Sequence, residues 1–265
     1  MTDSPRSPVR GAGSPPPSGS TPVSAGTPDA RGSRDDAEAA VEAALTAFAR
    51  DGYAPTKLGT LSEESGVSKR MLHYHFGDKQ GLYRAAMSRA VNLLIPPPEV
   101  LNRSYTVPVE GVRRFVDAIF HRFLQNPDAA RLVIRENLDP VLDKGSTLDI
   151  DEVSEVVLHI ERLLLLGQDS GAFRPDISAE DILVMVCSLC MFRESNSEIA
   201  WRITRVDMRT QRNIEGLRRM TIDAVLAFLT SNIPASGYES YAEPDPAPVQ
   251  AVVSADDVYD INNVY

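Results

Sequence analysis

Two cysteines, four histidines and one tryptophan are the whole supply in this 265-residue chain of the residues that most often build disulfides, metal cages and aromatic platforms. Cys187 and Cys190 are too few for a disulfide framework and fit a reducing compartment. Zinc-ligand spacing, a glycine-rich phosphate loop and a Ser-His-Asp or Cys-His arrangement in a recognisable context are all missing. The expectation is therefore no metal, no cofactor and no enzyme. The longest apolar run, ILVMVCSLCMF at 182–192, falls well short of the roughly 18 residues a membrane span needs. The opening residues MTDSPRSPVRGAGSPPPSGS hold no apolar stretch of the kind a secretory signal has, so a cytoplasmic protein is expected. Strand-like alternation is also missing, which leaves an all-α fold.

What is present is unevenly distributed. The formal charge is −10, but Glu239, Glu243, Asp245, Asp256, Asp257 and Asp260 stand between residues 238 and 265 with no lysine or arginine among them. Between 66 and 89 the sign reverses, with Lys69, Arg70, Lys79, Arg84 and Arg89 against Asp78 alone. For phosphate contacts this local sign matters more than the total.

Four zones follow. Residues 1–33 hold seven prolines among serine, glycine and threonine, a composition that cannot bury enough apolar surface to offset chain entropy, so a disordered arm is expected. Residues 34–95 have a helical pattern, with Ala40, Val41, Ala44, Leu45 and Phe48 on one face, Gly52 closing the helix and prolines 96–98 ending the zone. Residues 108–233 support four or five more helices. The strongest runs through Val112, Phe115, Val116, Ile119, Phe120, Phe123 and Leu124, another carries Val153 to Leu164 and stops near Gly167 and Gly171, and SAED at 178 opens the next with Ser178 as cap and Asp181 three places on. Residues 238–265 read as a disordered acidic tail.

The stretch GVSKRMLHYHFGDKQGLY, 66–83, concentrates the chemistry. Ser68 is a good N-cap, and Val67 with Leu72 forms a hydrophobic staple, so a helix starts here. Upstream, Thr56 can cap a short helix carrying Leu58 and Leu61, with Gly66 as the turn, which makes a helix-turn-helix. On the second helix Leu72 and Phe76 share a packing face, while Arg70, His73 and Tyr74 point the other way. Lys69 and Arg70 would attract phosphate, and His73 and Tyr74 would reach phosphate or base edges in the major groove. His73 and His75 lie about 200° apart on a helix, so one metal ion cannot be held by both.

Residues 37–90, and the run GVS…LHYHFGDKQGLY above all, resemble the DNA-binding domain of the TetR family of transcriptional regulators. GAFRPDISAEDI, 171–182, is similar to the turn before the penultimate helix of many members. The resemblance implies an N-terminal three-helix helix-turn-helix domain and a C-terminal helical domain that dimerises and binds a ligand. It implies a homodimer, a double-stranded operator, a small-molecule effector and ligand-relieved repression. Carried over by position, the DNA-contacting set is Thr56 and Lys57 at the start of the second helix, Ser68, Lys69 and Arg70 at the start of the recognition helix, His73, Tyr74 and His75 along it, and Lys79 at the head of the fourth. His73 stands where tyrosine is usual, which makes affinity pH-dependent. Gly59 stands where a basic or polar residue is common, at the cost of a backbone contact.

Several features keep blander readings. Arg31 and Arg34 read either as a minor-groove arm or as a charged junction. CSLC, inside an apolar helix, reads as packing rather than redox chemistry, and His121 and His159, flanking apolar stripes, read as structural. Phe115, Ile119, Phe123, Met185, Leu189 and Trp201 are the candidates for an apolar effector site, each equally suited to core or dimer interface. The arginine-rich segment 193–213 around Trp201 reads as a gate, an acid-recognising surface or an exposed loop. The rival overall reading is an all-α scaffold with a vestigial helix-turn-helix.

Overall fold

The computed structural model describes residues 30–242 apart from 144, 147, 149, 151–152, 235–236 and 238–239, so the expected arm up to 29 and tail from 243 lie outside the described residues. Ten α-helices and no strand occur among them. A head is built from α1 (Ala30–Asp51), α2 (Leu58–Ser65), α3 (Lys69–Phe76) and α4 (Lys79–Leu94). A body follows, from α5 (Pro98–Leu101), α6 (Pro108–Gln125), α7 (Pro127–Leu138), α8 (Val153–Asp169), α9 (Ala179–Thr204) and α10 (Gln211–Thr230).

The head closes around α1, whose Ala40, Ala44, Leu45, Phe48 and Ala49 are buried. Alanines bring α4 and α7 close to its axis, and the Phe48, Tyr53 and Tyr83 rings pack at centroid distances of 5.0–5.8 Å. The first turn of α1 takes up residues 30–33, which composition had assigned to the disordered arm. The alanines that follow favour helix enough to carry Gly32. Arg31 and Arg34 are thus helical rather than part of an extended arm. Gly52 ends α1 at φ +87°, a left-handed conformation glycine adopts without strain.

α6 is the axis of the body, with Val112, Phe115, Val116, Ile119, Phe120 and Phe123 all buried. α8 ends at Asp169, between Gly167 and Gly171, where the stop was expected. Gly167 lies in its last turn, where a Cβ would sit 1.8 Å from the Phe173 ring, and the turn comes at Gly171, φ +70°. The proline run does stop α4, yet Pro98 then opens α5, since proline suits the first helical position. The segment 193–213 is mostly helix rather than loop. α9 continues to Thr204, Arg205 terminates it at φ 60°, and the Thr210 hydroxyl caps α10.

Two elements join head to body. One is α4, continuous into the α4–α5 turn. The other is α7, which packs on α1 and α4 and whose Arg135 donates from Nε to Ala49 O at 2.8 Å and from Nη2 to Arg50 O at 2.8 Å. A guanidinium on the last carbonyls of a helix satisfies orphan acceptors and complements the dipole. Beside it, the Tyr83 hydroxyl donates to Glu136 Oε2 at 2.7 Å, and Glu136 also receives the N–H groups of Val141 and Leu142.

Candidate nucleic-acid interface and effector cavity

α2 and α3 form a helix-turn-helix with Gly66 as the left-handed turn, φ +74°. Ser68 caps α3 by accepting from Met71 N at 3.3 Å, while Val67 and Leu72 sink into the core on either side of it. Burying that face turns Lys69, Arg70, His73 and Tyr74 outward, and Tyr74 is 72% exposed although it is a large aromatic ring. Such exposure has no packing rationale, and a tyrosine beside two cations suits a nucleic-acid surface.

The other expected contact residues divide. Lys57 and Ser68 are exposed at the N-termini of α2 and α3. Thr56 neither caps α2 nor faces solvent. It is only 4% exposed, its hydroxyl donates to Gly52 O at 2.7 Å, and the α2 cap position belongs to Lys57. The threonine lies too far inside the α1–α2 turn to offer its side chain to phosphate. His75 is half-buried between Tyr74 and Phe76, with Nε2 buried and without a partner, so it packs rather than reaches outward. Lys79 is also half-buried: its ammonium sits 4.2 Å from the Tyr53 ring centroid and 3.4 Å from Ala54 O, and burial lowers its pKa. Its first partners are therefore inside the head.

His73 Nδ1 lies 2.7 Å from Gly77 O. A carbonyl only accepts, so Nδ1 carries the proton and Nε2 is the nitrogen left to face outward. Gly59 acquires a reason: the Lys69 ammonium lies 3.2 Å from where a Cβ at 59 would stand. Lys69 occupies the surface that a polar side chain on α2 would have covered.

In the body, an apolar cavity of about 290 Å3 lies between the end of α4 (Val91, Leu94, Ile95), α6 (Ile119, Phe123), α7 (Val133), α8 (Val156) and α9 (Leu183, Cys187, Met191). Of the six residues named from sequence for an effector site, Ile119 and Phe123 line it. Phe115 instead packs on the buried His159 ring at 5.6 Å, and Trp201 lies on the surface with the Arg205 guanidinium 5.0 Å away. Met185 packs against the core and Leu189 is half-buried on α9, and neither lines the cavity. The contribution of α4 was missed because its apolar residues read only as the end of a head helix. Cys187 was read as packing. Burial raises its thiol to about 11, so it lines the cavity as a neutral, unreactive group. No group of three or more His, Cys, Asp or Glu among the described residues is placed to hold a metal. None of the described helices is long and apolar enough to cross a membrane.

A capped recognition helix on a four-helix head, joined by two helices to a larger helical body with a cavity, defines a DNA-binding regulator of the one-component kind. Residues 40–86 match the model for bacterial regulatory proteins of the tetR family, and residues 108–225 match that for the tetracyclin repressor-like C-terminal domain. The chain belongs to the TetR family of transcriptional regulators. Among curated relatives, the HTH-type transcriptional repressor NicS of Pseudomonas putida is 24% identical over 63% of this chain and 80% of its own. The HTH-type transcriptional regulator RutR of Escherichia coli K12 is 22% identical over 71% of this chain and 89% of its own. Among solved structures, the transcriptional regulator SCO4942 of Streptomyces coelicolor superposes with a TM-score of 0.55 at 20% identity, over 72% of this chain and 97% of that one. An HlyIIR mutant carrying a GSSGSSG linker gives 0.53 at 19%, over 76% and all of its chain. At these identities the structures establish the fold.

Proposed function

We propose that this regulator is a repressor that binds a pseudo-palindromic operator as a homodimer and releases it when an apolar effector enters the body. The observation that carries the reading is the division of α3: Val67 and Leu72 are buried, while Lys69, Arg70, His73 and Tyr74 form one exposed face. Seated in the major groove, Arg70, His73 and Tyr74 read base edges, while Lys69, with Lys57 and Ser68 at two helix N-termini, reaches the flanking phosphates. Two copies are supplied through α9, where the exposed Val184, Phe192, Ile199 and Ile203 follow one another at intervals of eight, seven and four residues and form a single apolar stripe. An isolated monomer has no use for such a stripe.

Release follows from where the cavity lies. Its walls include α4 and α7, the two elements that hold the head, so an occupant that spreads them alters the spacing of the recognition helices. The lining is apolar, and a charged ligand would lose its hydration there without a partner. A cavity of about 150 Å3 holds a benzene ring, so one of about 290 Å3 suits an uncharged ligand of about twice that size.

The test is retention of operator DNA by the Arg70→Ala, Tyr74→Ala double variant. The proposal expects retention to be lost while the unfolding midpoint and dimer mass stay those of the parent. Full retention would move the reading to the scaffold role.

A further inference from the structure

The motif GAFRPDIS between α8 and α9 holds a charge that the DNA-binding account leaves unused. Arg174 is 8% exposed, and its backbone N–H donates to Leu229 O at 2.9 Å, fastening the turn to the end of α10. Its guanidinium lies 5.1 Å from the Phe228 ring and 5.8 Å from that of Tyr241, and Nη2 donates to the Tyr241 hydroxyl at 2.8 Å. Nε and Nη1 are buried with no hydrogen-bond partner, and no carboxylate pairs with Arg174 among the described residues. The nearby carboxylate of Asp181 is committed elsewhere. It accepts the N–H groups of Ser178, Tyr241 and Ala242 at 2.7–3.1 Å, and although burial opposes ionisation, these donors hold it below the usual carboxylate range.

A buried arginine stays charged, and leaving such a charge without a counter-ion is costly. Aromatic faces compensate part of that cost and a neutral hydroxyl part, but two buried donors remain open. We infer that the Arg174 guanidinium is an oxyanion site, taking a phosphate or the carboxylate of a small acid, with Tyr241 as its displaceable lid.

The two forks of the guanidinium are Nε with Nη2 and Nη1 with Nη2, and Nη2 has one N–H in each. Tyr241 accepts one of these, so the fork on its side, to which the anion is assigned, opens only when the hydroxyl moves. Tyr241 is suited to yield, since it is 57% exposed and its segment is attached through the backbone to Asp181. An anion on that fork therefore competes with the hydroxyl while leaving the Asp181 contacts in place. This site is separate from the apolar cavity, whose lining includes neither Arg174 nor Tyr241.

The test follows the unfolding midpoint of the full chain by circular dichroism while inorganic phosphate, or in a second arm acetate, replaces chloride at constant ionic strength. The expected result is a saturable rise with at least one of the two, absent in Arg174→Gln and reached at several-fold lower concentration in Tyr241→Phe, where Nη2 is already free. The two arms tell a tetrahedral oxyanion from a carboxylate. The inference is overturned if neither anion raises the midpoint, if Arg174→Gln responds as the parent does, or if Tyr241→Phe saturates at the parent's concentration. Should Arg174→Gln fail to fold, the comparison of Tyr241→Phe with the parent still decides, because phenylalanine keeps the ring against Arg174 and Phe228 and removes only the hydroxyl.

Discussion

At the scale of single residues, exposure and hydrogen-bond commitment separate groups that the family pattern lists together. Thr56 is spent on Gly52 O, so Thr56→Val lowers stability by about 1 kcal/mol and leaves the salt dependence of DNA binding unchanged. Lys69→Ala does the reverse: it leaves stability nearly as it was and makes the slope of log affinity against log salt shallower by about one phosphate contact. Denaturant titration and binding at several salt concentrations check both. His73 offers Nε2 outward, a lone pair when neutral and a donor when protonated. His73→Phe should therefore weaken DNA binding while leaving the unfolding midpoint close to that of the parent. A fourth expectation concerns His159, buried beside Phe115 and Tyr105, whose pKa burial lowers, with the Arg162 charge acting the same way and a bond to Leu101 opposing. The unfolded chain takes up a proton at this position before the folded one does. Stability from this group is thus present above the ordinary histidine value of 6.5 and is lost as pH falls below it. His159→Leu should reduce the loss seen in midpoints measured between pH 7 and 5.

At the scale of elements, what the sequence made legible was whatever local chemistry decides. Ser68 and Ser178 announce helix starts because a side-chain oxygen must satisfy a backbone N–H there, and both do so, the second within a full capping box with Asp181. The period of α6 is legible because burial on one face leaves a repeat of 3.6 residues. The same logic failed where a distant element decides. Thr56 reads as a cap until the α1–α2 turn buries it, and the need for a glycine at 167 appears only when the Phe173 ring folds back on it. Ile119 and Phe123 could be singled out for the effector site, but Val91, Leu94 and Cys187 could not, because lining a cavity and filling a core ask for the same residue types. Arg135 was not legible at all, since its partners lie 85 and 86 residues away. Arg135→Met should lower stability by about 1.5–3 kcal/mol, the range for hydrogen bonds made by charged groups. It should also raise amide exchange in the last turn of α1, a loosening that hydrogen exchange resolves by element.

At the scale of the whole molecule, head and body are joined by α4 and α7, and the same two helices wall the apolar cavity. On the proposed reading that coincidence would give an effector a mechanical route to DNA, since its differential fit between two settings of α4 and α7 is the only free energy that could move the heads. The apolar stripe on α9 is the corresponding requirement for two heads. Phe192→Asp with Ile199→Asp should convert a particle of twice the 29.0 kDa chain mass into a monomer with much weakened operator binding, as sedimentation and binding on the same samples would show. The central claim is that α3 reads sequence. It is tested most directly by selecting genomic fragments of the protein's own source with the purified chain at physiological salt and footprinting those retained. A recurring pseudo-palindrome whose half-sites lie about one helical turn apart or somewhat more is the expected result. Retention of unrelated fragments, or of none, would contradict it.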